Sequence, residues 1–201
     1  VFDGFAAAPH LVSSQKNRLR GLAMFREMRR MKQELPKEEA IAVLESCSNG
    51  VLAVAGDDGY PYAVPMSYVY DDGRLIFHCA VEGHKLDAIR RDDRVSFCVV
   101  DREEVVPEKF STIFRSVIVF GRAKIVDDES ERRRMLEGIN AKYAPGLESQ
   151  GNMEIERNWN RVTLIEVRIE HMTGKIDLAT MIERARAARE AAGEECPPKK
   201  A

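Results

Sequence analysis

The sequence predicts a mainly β, α+β domain: six antiparallel strands in a closed or nearly closed barrel, with a few flanking helices. Three observations predict it. Two turns, Asp57-Asp58-Gly59 and Asp71-Asp72-Gly73, separate apolar runs, and glycine there supplies a positive φ. Six runs rich in Val, Ile, Phe and Tyr have strand character. Segments with helical spacing are few.

The elements follow in order. Pro36 to Cys47 reads as a helix, with Pro36 in its first turn, an apolar face of Ala40, Ile41 and Leu44, and Asn49-Gly50 as its break. Val51–Ala55, Tyr62–Tyr70 and Leu75–Ala80 form a three-stranded meander about the two turns. Gly83 to Arg91 is a short helix. Arg94–Val100 is apolar at nearly every position and is expected to be buried on both faces. Ser116–Val126 is a long fifth strand in which Gly121 marks a bend or bulge. Asp127–Lys142 is a helix whose acidic start suits the helix dipole. In Arg161–Glu170, Thr163, Ile165, Val167 and Ile169 alternate with Leu164, Glu166, Arg168 and Glu170, so one face is wet. Ile176–Ala192 closes the domain as a helix. Two long connections, Asp101–Arg115 and Tyr143–Asn160, are expected to be functional loops. Phe110 and Phe114 in the first of them are candidates to stack on a ligand or to anchor the loop.

Length and composition suit one domain over residues 24–192, with a flexible extension at 1–23 and a disordered tail at 193–201. Net charge is −2, so no global basic field marks a nucleic-acid partner. The basic stretch from Lys16 to Lys32 reads as a solvated arm, and Arg132-Arg133-Arg134 as a solvated helix face. Cys47, Cys79, Cys98 and Cys196 form no C-x-x-C pair, which suits a reducing compartment. No apolar run approaches the ~20 residues that span a bilayer, and no secretory signal pattern opens the chain. A cytoplasmic protein with no membrane partner is expected.

Chemistry concentrates in Phe77-His78-Cys79-Ala80-Val81-Glu82-Gly83-His84-Lys85, which ends a strand and opens a helix. Unpaired amides at a helix start, with His84 and Lys85 beside them, suit a phosphate. From spacing alone, a surface lysine and a polar loop histidine are the plainer reading. Alternation groups His78 with Ile76 and Ala80, against Leu75, Phe77 and Cys79. It is either a satisfied barrel residue or a proton donor beside a bound ring. Pro65 removes a ladder donor, so its strand lies at an edge or carries a bulge, and Met66, Ser67 and Tyr68 follow it. The four histidines show no metal-ligand spacing, and no nucleophile elbow or Walker loop is present.

Taken together, several segments resemble the FMN-binding split barrels of the pyridoxamine 5′-phosphate oxidase-like group, and within it the 5-nitroimidazole-resistance type. They are Met24–Arg30, Gly50–Val54, Asp58–Tyr70, Leu75–Ala80, Gly83-His84-Lys85, Val95–Val99, Val105–Phe110, Ser116–Gly121 and Thr173-Gly174-Lys175. The resemblance implies a six-stranded, Greek-key split barrel, forming a homodimer with FMN at the interface. It implies ring contacts from Pro65, Met66, Ser67 and Tyr68, and phosphate-side contacts from His78, Cys79, Ala80, His84 and Lys85. Ser116 and Val117 would contribute near the interface, and His78 would be the catalytic group. The implied activity is FMN-dependent reduction of a nitroimidazole or other nitroaromatic by a flavoprotein oxidoreductase. The alternatives are a non-catalytic flavin or haem binder and a deazaflavin-dependent reductase of the same fold. The Arg/His substrate pattern of true pyridoxamine-phosphate oxidases is not matched.

Overall fold

In the computed structural model, residues 25–192 are described. The expectations for 1–23 and 193–201 lie outside them. The barrel comprises β1 (Glu34–Leu35), α1 (Lys37–Ser46), β2 (Asn49–Ala55), β3 (Pro61–Ser67), β4 (Val69–Asp71), β5 (Arg74–Ala80), α2 (His84–Arg91), β6 (Arg94–Val106), β7 (Ser111–Val126), α3 (Glu129–Tyr143), α4 (Glu148–Asn158), β8 (Val162–Ile176) and α5 (Leu178–Ala191). No helix among the described residues is long and apolar enough to cross a membrane.

All pairings are antiparallel, in the order β3-β2-β6-β7-β8-β5-β4, with β1 added on β8. The two ends of that order, β3 and β4, are consecutive in the chain and separated by Tyr68 alone. The sheet therefore curls until its edges meet, as a split barrel. β6, β7 and β8 are successive neighbours, and β5, joined to β6 through α2, returns beside β8; this is a Greek key.

Leu52, Phe77, Phe97, Val99, Val117, Val119, Ile165 and Val167 fill the barrel. Helix α1 closes one end with Ala40, Val43 and Leu44, and α2 closes the other with Leu86, Ala88 and Ile89. Outside the wall, Met135, Leu136 and Ile139 of α3 and Ile155 of α4 cover Ile76, Val126 and Leu164 in a second cluster.

Several expectations are corrected. The predicted second strand is two strands broken at Tyr68, so β3 pairs with β2 while β4 pairs with β5. Asn49-Gly50 belongs to β2, not to a helix break. Gly50 is needed there for close packing: a Cβ would lie 2.5 Å from the Phe97 ring. The strand at Arg94 buries one face only, with Val95, Phe97 and Val99 inside and Val100 exposed. The supposed loop Asp101–Arg115 is a hairpin arm in which β6 and β7 stay paired out to Val106 and Ser111. The connection Tyr143–Asn160 contains α4. Arg132, Arg133 and Arg134 are engaged rather than merely solvated. Arg132 donates to the Trp159 and Val162 carbonyls, Arg133 pairs with Glu156, and Arg134 pairs with Glu131 and Asp71. The predicted irregularity at Gly121 is present: register shifts between Phe120 and Gly121.

Candidate functional site

The barrel is not sealed where β3 faces β5. Among the described pairings, β3 bonds only to β2, and Phe77–Ala80 of β5 bond only to β8. Continuing the β4–β5 register from Val69 opposite Ile76 sets Ser67 level with His78 and Pro65 level with Ala80. The two strands approach one another there without a ladder. Each lip of this seam presents backbone N–H and C=O groups that the sheet does not use. A ligand with polar atoms along one edge can take them up.

Side chains along the seam divide by alternation. Pro65, Ser67, His78 and Ala80 are exposed on the outer side. Met66 and Cys79 turn inward and are partly buried against the core. Pro65 lies on an edge strand, which accounts for a proline there. Tyr68 closes the seam: its ring is 1% exposed among Phe77 and Phe97, and its hydroxyl donates to the Leu44 carbonyl at 2.7 Å. Burial pushes its phenol pKa up, so it stays protonated. The Tyr68 side chain is therefore a core group, and any ligand contact falls to its neighbours.

At the other end of the seam stands the start of α2. Gly83 caps it at φ 136°, a value that suits glycine, and its carbonyl accepts from the Leu86 and Asp87 amides. The His84 and Lys85 amides precede any helical acceptor. The His84 ring stacks on Tyr62 of β3 at 4.2 Å and lies 3.3 Å from Asp57, which also holds Arg91 at 2.7 Å. This contact fastens α2 to the β3 lip. Burial pushes the Cys79 thiol pKa up, and the Lys85 ammonium pulls it partly back, so Lys85 acts on the β5 lip. His78 is exposed at the surface but partly desolvated by the protein around it, which pushes its imidazole below its usual value and favours the neutral ring at neutral pH.

The structure thus gathers Pro65, Met66, Ser67, Tyr68, His78, Cys79, Ala80, His84 and Lys85 along one seam. It does not bring Ser116 and Val117 there. Val117 is fully buried in the barrel core. Ser116 lies on the outer face between Val100 and Lys175. On that face β7 is three strands from β3, about 14 Å at ~4.8 Å per strand. Sequence reasoning missed Tyr62, whose alternation with Val64 and Met66 was the available signal. It also missed Tyr143, whose hydroxyl meets the backbone of Tyr68 from 75 residues away and leaves no local trace. A separate hollow of about 410 Å³ opens on the outer face between Tyr60, Phe120, Ala53 and Ser96, and none of the predicted site residues lines it.

Fold and seam together define a split β-barrel. The sequence pattern of the pyridoxamine 5′-phosphate oxidase family matches residues 36–176, and the chain belongs to that family. Solved structures agree on the fold. A candidate 5-nitroimidazole antibiotic resistance protein from Bacteroides thetaiotaomicron superposes with a TM-score of 0.59 at 21% identity, over 71% of this chain and 86% of that one. An FAD-binding protein from Mesorhizobium loti gives 0.51 at 26% identity, over 72% and 97%. An FAD and haem binding protein from Mycobacterium smegmatis gives 0.61 at 18% identity, over 76% and 80%. Among curated proteins none matches the chain in sequence.

Proposed function

We propose that this chain is a flavin-binding oxidoreductase that holds FMN along the β3–β5 seam, as a homodimer. The observation that carries this reading is the seam itself: two unpaired strand edges running to a helix start that bears Lys85. A planar heterocycle with polar edge atoms fits the lips, and a phosphate fits the His84 and Lys85 amides beside the Lys85 ammonium. The family match and the FAD-binding protein from Mesorhizobium loti support a flavin. The resemblance to the FMN-binding split barrels favours the mononucleotide.

When bound, the flavin supplies electron transfer. The protein's part is to hold and orient. Pro65, Met66 and Ser67 align one edge of the ring with their backbone. Ala80 and Cys79 bound the opposite lip with small side chains. Lys85 neutralises the phosphate, and Tyr62 steadies His84 beside it. His78, on the outer side of the seam, is placed to hand a proton to a small acceptor such as a nitroaromatic. Free thiols at Cys47, Cys79 and Cys98 suit the reducing cytoplasm.

The test is a visible spectrum of the purified, gel-filtered protein, repeated after adding FMN and desalting, with the released cofactor identified by chromatography. Retention of about one FMN per chain is the expected result. A colourless protein that rejects FMN overturns the reading; retention of FAD instead keeps the flavin site and overturns the choice of mononucleotide.

A further inference from the structure

The two Asp-Asp-Gly turns divide their work in the same way. In each, the second aspartate takes the left-handed position, Asp58 at φ 53° and Asp72 at φ 40°, and has no ion pair among the described residues. The first aspartate aims its carboxylate at a helix. Asp71 meets Arg134 of α3 at 3.2 Å, besides Arg74 in its own hairpin. Asp57 meets α2, and meets it twice. His84 Nε2 lies 3.3 Å from one carboxylate oxygen, and Arg91 Nη2 lies 2.7 Å from the other.

His84 is the first residue of α2 and Arg91 the last. Seven residues make almost two full turns, so both side chains leave one face of the helix, about 10 Å apart along it. Ala88 stands between them on that face and is fully buried, and α2 packs on β2, the strand that leads into the turn. One carboxylate thus bridges the two ends of the helix. The turn that carries it is itself fixed: the Tyr60 amide donates to the Asp57 carbonyl at 3.0 Å, and a side chain at Gly56 would collide with the Tyr60 carbonyl. The start of α2 needs such a hold. Asp128 and Asp177 cap α3 and α5 with their side chains, whereas Gly83 offers α2 none. Leu86, Ala88 and Ile89 anchor the body of α2 in the core. Its first turn is left to His84, stacked on Tyr62 and tied to Asp57.

We infer that Asp57 is a positioning residue for the cofactor phosphate: it holds both ends of α2, so that the His84 and Lys85 amides and the Lys85 ammonium keep the spacing a phosphate needs. The role rests on the flavin reading above and belongs to the same site. Charge-assisted hydrogen bonds to a phosphate oxygen hold only near ~2.8 Å, so a small tilt of the first turn weakens several of them at once. Riboflavin lacks the phosphate and is indifferent to that tilt. Charge alone predicts the opposite sign. A carboxylate near a phosphate repels it, so removing a purely electrostatic Asp57 would tighten FMN. Removing a positioning Asp57 loosens it.

The experiment titrates cofactor-free protein with FMN and with riboflavin, read by quenching of flavin fluorescence, for wild type, Asp57→Ala and Asp58→Asn. Urea midpoints are measured in parallel. Asp58→Asn removes the same charge from the same turn, and asparagine suits its left-handed backbone. Asp57→Ala should weaken FMN about three- to tenfold, the range of two exposed ion pairs, and leave riboflavin within about twofold. Asp58→Asn should change neither. Equal loss of both ligands in Asp57→Ala, tighter FMN binding, or the same FMN loss in Asp58→Asn overturns the positioning role. A wild type that binds neither ligand overturns the flavin reading and this role with it. A wild type that binds both, beside an unaffected Asp57→Ala, overturns the role alone.

Discussion

The Tyr143 hydroxyl lies 2.9 Å from the Tyr68 amide and 2.7 Å from the Tyr68 carbonyl. It also contacts the Ser48 carbonyl. Tyr68 is the single residue between β3 and β4, where the ladder changes partner. A strand that switches partners leaves both backbone groups of the switching residue unpaired. The last residue of α3 supplies the missing partner. Lys142 adds to this clamp by donating to the Cys47 carbonyl at 2.6 Å and lying over the Tyr68 ring at 4.4 Å. The seam is therefore held open at a fixed place by the end of a helix.

Tyr143→Phe removes that partner without removing the ring. Leaving partly buried backbone groups unsatisfied costs about 1–2 kcal/mol. The expected outcome is a lower urea midpoint with an unchanged slope, together with weaker FMN retention. A variant with wild-type stability and wild-type FMN affinity would show that the clamp is not needed.

Lys85→Ala tests the phosphate end of the seam. A charge-assisted contact is worth roughly 1.5–3 kcal/mol, so FMN affinity should fall about ten- to a hundredfold. Riboflavin, which lacks the phosphate, should bind wild type and variant alike. Equal loss for both ligands would place Lys85 on the ring and not on the phosphate. His78→Ala should weaken FMN less than Lys85→Ala does.

Which parts of this were legible in the sequence follows from how local each signal is. The two Asp-Asp-Gly turns are local chemistry, and Gly59 and Gly73 do adopt φ of 81° and 82°. The alternation about His78 is local too, and Ile76 and Phe77 do fall in separate clusters. The break at Tyr68 was illegible because Pro65–Tyr70 holds no glycine, asparagine or aspartate to mark a turn, and its cause lies on α3. The β6–β7 arm was read as a loop because Arg102-Glu103-Glu104 shows no apolar face; an arm outside the core has none to show. Helix α4 was missed for a related reason: within it only Gly151 and Ile155 are buried.

Acid should weaken one tie between α3 and the barrel. Glu131 accepts from Arg134 at 3.0 and 2.8 Å and from Arg74 at 3.1 Å, and Arg74 also holds Asp71 and Glu166. Chiefly the Arg134 hydrogen bonds, then Arg74, pull the Glu131 pKa down to about 2 from 4.5. A depressed carboxylate contributes stability that is present above its unfolded pKa and is lost as pH falls through its folded one. The window is thus pH 4.5 down to about 2. The pair is solvent-screened, so its contribution is about 1 kcal/mol or less. Glu131→Gln should be less stable than wild type at pH 7, and the gap should close by pH 2. A gap that is constant over this range would assign the loss to packing.

The His78 imidazole offers a test that separates proton transfer from cofactor binding. Partial desolvation lowers its pKa below the ordinary 6.5. As a proton donor in its charged form, it becomes active only as pH falls through that lowered value. Turnover with a nitroaromatic acceptor should therefore rise toward acid with a midpoint below 6.5. Folding runs the other way, because a histidine held neutral in the folded state costs stability once pH drops below its unfolded pKa. Rates are thus compared only where circular dichroism and FMN retention are unchanged. His78→Gln keeps a polar side chain but does not titrate. It should abolish the acid limb, lower the rate by roughly 10²-fold or more, and leave FMN affinity within a few fold. Persistence of the limb in His78→Gln would move the proton donor elsewhere on the seam and leave His78 a lip residue only.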